Sequence, residues 1–429
     1  MFYLIYNALS LFLLLPATAY HTYRSISRKR PPALRQRFGY IKPDDLKKIN
    51  SRPVILLHAV SVGEAIASRP LLKALRQRYP DHAIVISTTT ETGRNIASAF
   101  GEKDICVYFP FDFLPAVRKT LDNLKPVLII IMETEIWPNF TREAHRRGIK
   151  MVLANGRISD RSFKGYLRFS WFFRNALQYF SVLCMQSLAD AERITAIGAP
   201  AERVIISGNL KYDIPLRTVQ EQEKKELRQR YAIPQTMMVL TAASTHSGED
   251  ELIIDAYLKL LTNNKNLFLT LVPRHPERCG EVATLLEKNS FGYCRRTKLD
   301  SREIRPFVSG EVLLIDTIGE MMNIYAFSDL VFVGGSLVPI GGHNPLEPAS
   351  VGVPSVFGPF MDNFREIADL VRHYEAGRQI NGPDQLSSAL RDMIERPNER
   401  ETMGANGLRM MRENGGATEK HMNMIGRYL

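Results

Sequence analysis

The sequence predicts an α/β protein of two doubly wound domains facing each other across a cleft, with an N-terminal membrane-anchor helix. Three observations lead there. Strand-length apolar runs alternate with helical patterns along most of the chain, which calls for mostly parallel sheets covered on both faces. A charged stretch bounded by prolines interrupts the alternation once, and 429 residues are too many for one compact core. Met1–Tyr20 carries no charge, and ~20 residues at ~1.5 Å each just cross the hydrocarbon of a bilayer.

Each element can be justified in turn. The uncharged start, residues 1–21, is followed by Arg24, Arg28, Lys29, Arg30, Arg35 and Arg37, whereas a secretory signal carries its charge ahead of the apolar run. It therefore reads as an uncleaved anchor; Pro16 and its marginal length leave a shallow interfacial helix as the alternative. Charge beside the anchor keeps the remainder cytoplasmic, against anionic headgroups. The first domain, residues 22–212, opens with strand Val54–His58 and helix Ala65–Tyr79. Further strands are expected at Ala83–Ser87, Val107–Phe109, Val127–Met132, Met151–Ala154 and Val182–Met185. Residues 213–235, charged between Pro215 and Pro234, read as a linker. The second domain, residues 236–405, repeats the pattern with strands Met238–Ala242, Leu267–Val272, Val312–Ile315, Leu330–Val333 and Val353–Phe357, and residues 406–429 read as a helical segment.

Composition narrows the function. A net charge of +11 suits nucleic acid, an anionic membrane or a phosphorylated substrate, and its clustering after residue 21 favours the membrane, with no nucleic-acid partner expected. The four cysteines form no C-x-x-C pair, which points to reduced thiols and no zinc site. Neither G-x-G-x-x-G after a first strand nor G-x-x-x-x-G-K-[ST] occurs, so a hydride-transfer dehydrogenase and a P-loop nucleotidase are disfavoured. No cofactor and no metal are expected, since hard cations want more oxygens than any cluster here offers and there is no Asp-x-Asp.

Chemistry is expected at the carboxyl ends of strands, where open α/β sheets bind ligands. V-I-L-L-H-A-V-S-V-G-E (Val54–Glu64) delivers Glu64 there, as a general base or as a residue that merely favours the first turn of a helix. Glu133 and Glu135 end the run Ile129–Met132; for Glu135 the preferred reading is a cap on the following turn, with Trp137 packed inward. Lys211, in G-N-L-K-Y-D, could counter charge developing on a leaving phosphate, or be a solvated surface lysine. Arg274 and His275 open a helix after a buried strand, Ile318, Gly319, Glu320 and Met321 do the same, and Asn344, Pro345, Leu346 and Glu347 follow a glycine pair. Three such turns along one sheet edge suit a nucleotide, its anion on backbone N–H groups and its ribose on Glu347.

Together H-A-V-S-V-G-E, M-E-T-E-I-W-P-N, G-N-L-K-Y-D, P-R-H-P-E-R, D-T-I-G-E-M and G-G-H-N-P-L-E-P, in this order over nearly the whole chain, resemble the 3-deoxy-D-manno-octulosonic acid (Kdo) transferases of lipopolysaccharide synthesis. The resemblance implies two Rossmann-like domains of the B-type glycosyltransferase build, metal-independent and inverting, moving Kdo from CMP-Kdo to the lipid A precursor at the cytoplasmic face of the bacterial inner membrane. It implies Glu64 as general base, Glu133 and Lys211 as transition-state stabilisers, and the Arg274–His275, Ile318–Met321 and Asn344–Glu347 segments as the CMP site. Its implied partners are CMP-Kdo, the lipid A precursor and inner-membrane lipids. Two other readings stay open: a two-domain transferase or epimerase using a UDP-sugar, and a membrane-tethered nucleotide-binding scaffold without catalysis.

Overall fold

A computed structural model of the chain describes residues 2–27, 33–299 and 305–429. The chain divides into two compact units, Met1–Asp213 with Asn414–Leu429, and Ile214–Glu413. The first contains strands β1 (Val54–His58), β2 (Ala83–Thr88), β3 (Ile105–Tyr108), β4 (Pro126–Met132), β5 (Lys150–Gly156), β6 (Val182–Met185) and β7 (Val204–Ile206). They form a wholly parallel sheet in the order β3-β2-β1-β4-β5-β6-β7. The reason β1 is apolar at every position is visible in its packing. Val54 and Leu56 enter the core on one face of the sheet, and Ile55 and Leu57 the core on the other.

The second unit repeats this architecture with β8 (Met238–Thr245), β9 (Leu267–Pro273), β10 (Gly292–Arg295), β11 (Glu311–Leu314), β12 (Leu330–Val333), β13 (Ser355–Phe357) and β14 (Gly377–Gln379). All are parallel, in the order β10-β11-β9-β8-β12-β13-β14. The strands that escape sequence reading, β7, β10 and β14, are short and stand at or next to the sheet edges; β10 and β14 carry glycine and arginine in place of an apolar run. The stretch 213–235 contains the helix Glu221–Arg230, bound into the second unit. Arg228 is buried, donates to the Phe327 carbonyl and pairs with Asp329 at 2.7 Å, while Tyr231 and Ile233 enter the core.

The N-terminal stretch does form a helix, Phe2–Ser27, but the expectation of a membrane anchor over residues 1–21 is corrected. Among the described residues no helix is long and apolar enough to cross a membrane. Asn7, Ser10, Pro16 and Thr18 interrupt its apolar side chains, and the helix runs on past Tyr20 into polar sequence. Its beginning is also spoken for: the Tyr6 hydroxyl donates to Asp112 at 2.7 Å, and Asn7 accepts from Asn139 at 2.8 Å. Of the basic residues expected beside it, Arg28, Lys29 and Arg30 lie outside the described residues.

Candidate active site

In the first unit the strand order reverses between β1 and β4, so the loops leaving these strands flank the switch point, the ligand-binding edge of open parallel sheets. Glu64 leaves β1. Ser61 caps the helix Val62–Arg78, its Oγ accepting from the Glu64 N–H at 3.3 Å and its hydroxyl donating to Glu64 Oε1 at 2.9 Å. Val60 N–H donates to Oε2 at 2.8 Å. Thus the helix-capping role is real, a variant of the capping box in which the carboxylate reaches the N–H one residue ahead of the N-cap. It does not preclude the base. Each oxygen holds a single donor and keeps a further lone pair, and the buried carboxylate is held in one orientation.

Glu133 leaves β4 in the left-handed backbone region, φ +54°, a conformation that costs a non-glycine residue about 1 kcal/mol or more and recurs at functional sites. Its N–H is tied to the Ala154 carbonyl at 2.8 Å, and Lys211 Nζ stands 4.0 Å from its Oε1. Lys211 is set on its turn by two asparagines. Asn209 Oδ1 accepts from the Lys211 N–H at 3.0 Å, and Asn155 Oδ1 from the Leu210 N–H at 2.9 Å. Asn155 is in turn held by His421 of the C-terminal helix Ala417–Ile425, whose Nδ1–H donates to the Ala417 carbonyl at 2.7 Å and whose Nε2 accepts from the Asn155 N–H at 3.0 Å. Burial lowers the His421 pKa to about 4, keeping it the neutral acceptor this arrangement needs.

Glu135 departs from expectation. The helix Pro138–Arg146 is capped by Asp112, from a distant loop, because Trp137 at the N-cap position offers no side-chain acceptor. Freed from capping, the Glu135 carboxyl is pushed up to about 7, first by burial and then by the negative charges of Glu64 and Glu133. Trp137 does pack inward, against Phe109 at 5.8 Å between ring centroids. The loops after β1 and β4 therefore bring three carboxylates together, and the turn Leu210–Tyr212 after β7 adds one lysine.

In the second unit the order reverses between β8 and β12. Here lies a group that sequence reading missed: Ser244-Thr245-His246, with Ser244 at φ +56°, and the fully buried Glu249. Glu249 Oε2 accepts from the N–H groups of Gly335 at 2.7 Å and His246 at 3.0 Å, and Oε1 from those of Ser336 at 3.0 Å and Leu337 at 2.9 Å. Gly334 is required, because a Cβ there would stand 2.4 Å from the Ser244 carbonyl oxygen. The same strand-to-helix logic that singles out Arg274 applies to T-H-S-G-E and would have found it.

The turn after β9 exposes Arg274 and His275, while Arg278 pairs with buried Asp250 at 2.5 Å and braces it. His246 and His343 lie ring on ring, 5.2 Å apart at 7°, with their Nε2 atoms 2.9 Å apart, so one donates and the other accepts. Burial, then the Arg274 charge, lowers the His343 pKa to about 4. Glu347, raised by burial, feels the opposing Arg274 charge, which joins the turn after β9 to the Asn344–Glu347 turn. Asn344 accepts from the Leu346 N–H at 3.1 Å, and Pro345 and Leu346 are buried beneath it. In the Ile318–Met321 turn, Ile318 is 87% exposed and Gly319 has φ +92°. Glu320 points elsewhere: Tyr231, Thr317 and Arg296 all donate to its carboxylate, outweighing burial and lowering its pKa, so it braces the turn.

Two parallel α/β domains, each with polar side chains and strained or glycine-rich backbone at its switch point, are the build of B-type glycosyltransferases and their epimerase kin. A UDP-GlcNAc 2-epimerase from Neisseria meningitidis bound to UDP-GlcNAc shares this fold at 15% identity and a TM-score of 0.50, covering 87% of this chain and 100% of that one. Residues 32–214 match the family described as 3-Deoxy-D-manno-octulosonic-acid transferase (kdotransferase). The 3-deoxy-D-manno-octulosonic acid transferase of Haemophilus influenzae is 37% identical over 377 residues, 87% of either chain, and that of Bordetella pertussis is 32% identical with the same coverage. This chain belongs to the 3-deoxy-D-manno-octulosonic acid transferase family.

Proposed function

We propose that the chain transfers Kdo from CMP-Kdo to a hydroxyl of the lipid A precursor, with inversion and without a metal, in lipopolysaccharide biosynthesis. The observation that carries the reading of the site is the convergence of Glu64, Glu133 and Lys211 at the switch point of the first sheet. The acceptor oxygen attacks the anomeric carbon of Kdo and gives its proton to Glu64. The bond from that carbon to the CMP phosphate breaks, and CMP leaves with the electron pair. Lys211 counters the charge that develops, and Glu133 holds the lysine. Arg274 and His275 receive the donor phosphate, the N–H groups of the Ile318–Met321 turn assist, and Asn344 and Glu347 take the ribose.

The protein works, on this reading, at the cytoplasmic face of the bacterial inner membrane, with the helix Phe2–Ser27 lying in the interface. Exposed Leu11, Phe12, Leu15, Tyr20 and Tyr23 support this. So do exposed Phe169 and Trp171 nearby, since Phe172 of the same segment touches Tyr6 at 5.8 Å between ring centroids.

The test is a turnover assay with CMP-Kdo and a tetra-acylated lipid A precursor, read by product mass. Additions of Kdo units are expected, and their absence refutes the reading. Glu64→Gln is expected to lower kcat by about 100-fold or more while retaining CMP binding; unchanged turnover removes Glu64 as the base. Cytidine nucleotides are expected to bind in preference to uridine ones, and the reverse order favours a UDP-sugar enzyme.

A further inference from the structure

Asp112 is a buried carboxylate of the first unit, outside the reactive cluster, that accepts three hydrogen bonds. It lies on no catalytic loop. Its Oδ1 accepts from the Phe140 N–H at 2.8 Å, and its Oδ2 from the Asn139 N–H at 2.9 Å and the Tyr6 hydroxyl at 2.7 Å. The Asn139 amide closes the group, donating from Nδ2 to the Asp112 carbonyl at 2.7 Å and to Asn7 Oδ1 at 2.8 Å. Asp112 and Asn139 are buried. Tyr6 and Asn7 belong to the helix Phe2–Ser27, which is also held by Arg142 lying 4.1 Å over the Tyr3 ring.

These bonds fix the start of the helix Pro138–Arg146, whose orphan N–H groups find a carboxylate in Asp112 at the positive end of the helix dipole. Only five residues, Glu133–Trp137, separate that start from the end of β4 at Met132. The other end of this short turn is held by the Glu133 N–H to the Ala154 carbonyl. The position of Glu133 and Glu135 is therefore set by two clamps. One of them reaches the N-terminal helix, because an Asp112 that loses the Tyr6 hydroxyl, and an Asn139 that loses Asn7, must find new partners in a buried place.

We propose that Asp112 is a positioning residue through which docking of the N-terminal helix holds the Glu133–Trp137 turn in its working geometry. The helix thereby acts on turnover and is more than a tether. This rests on the function proposed above only for its activity readout.

The experiment uses the full chain carrying Tyr6→Phe and Asn7→Ala, which remove one hydroxyl and one amide from a partly exposed helix and leave the buried groups in place. Trp171→Phe in both proteins leaves Trp137 as the reporting indole. The expected result is a kcat lowered about tenfold or more, a CMP-Kdo KM within about twofold, a melting midpoint lowered by no more than about 5 °C, and a red-shifted Trp137 emission. Asp112→Asn is expected to move kcat and emission in the same direction. The proposal is overturned if kcat and Trp137 emission stay at the parent values. It is equally overturned if the loss of kcat disappears with detergent-dispersed acceptor while emission is unmoved, which would make the helix a tether only. Should the parent protein transfer no Kdo, the function proposal fails, and the emission comparison still decides the positioning role.

Discussion

Glu135 shows how much one side chain's behaviour depends on neighbours remote in sequence. A carboxyl whose folded pKa stands at about 7, above its ordinary value of 4.5, binds more protons in the folded than in the unfolded chain between those values. It stabilises most below pH 4.5, and this contribution is lost as pH rises through 7. Replacing Glu135 by Gln should therefore raise the melting midpoint at pH 8 relative to the parent and flatten its decline between pH 4.5 and 7, as thermal melts in matched buffers would show. An unchanged pH profile would mean that Glu135 ionises normally. Glu64, Glu133 and Arg274 stood out in the sequence because each follows an apolar run in a strand-to-helix or strand-to-turn junction, and Lys211 because it stands just before the proline-bounded linker. Glu135 and Asp112 did not. The first depends on charges brought from β1, and the second on a helix start whose own N-cap residue is mute.

The N-terminal helix is the element on which pattern and structure part. Lack of charge over twenty residues reads as a span, yet hydrophobicity is only half of what a span requires. The helix must also be free of the body of the protein, and this one is hydrogen-bonded to it through Tyr6 and Asn7. Its outward residues Leu11, Phe12 and Leu15 remain available to lipid. Binding to vesicles should accordingly be peripheral. Flotation with vesicles containing an anionic lipid is expected to carry the protein, neutral vesicles should carry less, and ~1 M salt should release a large part of it by screening. Retention on anionic vesicles at high salt and high pH alike would instead indicate insertion. The edge strands β7, β10 and β14 were hidden for a simpler reason: being short, they present no apolar run long enough to register.

At the scale of the molecule, the last residues return to the first unit. Ala417, Met422 and Ile425 pack into the core beside Leu71 and Leu75, and His421 holds Asn155, which holds the turn bearing Lys211. Deleting residues 414–429 should thus unfold or strongly destabilise the first unit, by several kcal/mol on the scale of buried large side chains lost, while leaving the second unit's CMP binding measurable. Denaturation followed at Trp137 and Trp171, both in the first unit, would check it; an unchanged transition would show the C-terminal helix to be dispensable. Sequence by itself determined the class of fold, two parallel α/β domains, because buried strands must be apolar on both faces and a period-two or continuous run cannot be disguised. It also determined the family and most of the loops that carry charge. Only the tertiary structure decided which charges meet. Hydrogen bonds and Coulomb interactions act over a few ångströms of space, and the chain reaches those distances between residues with no shared local pattern: Asp112 with Asn139, 27 residues on, Asn155 with His421, 266 residues on, and Glu64 with Glu135 of the turn after β4.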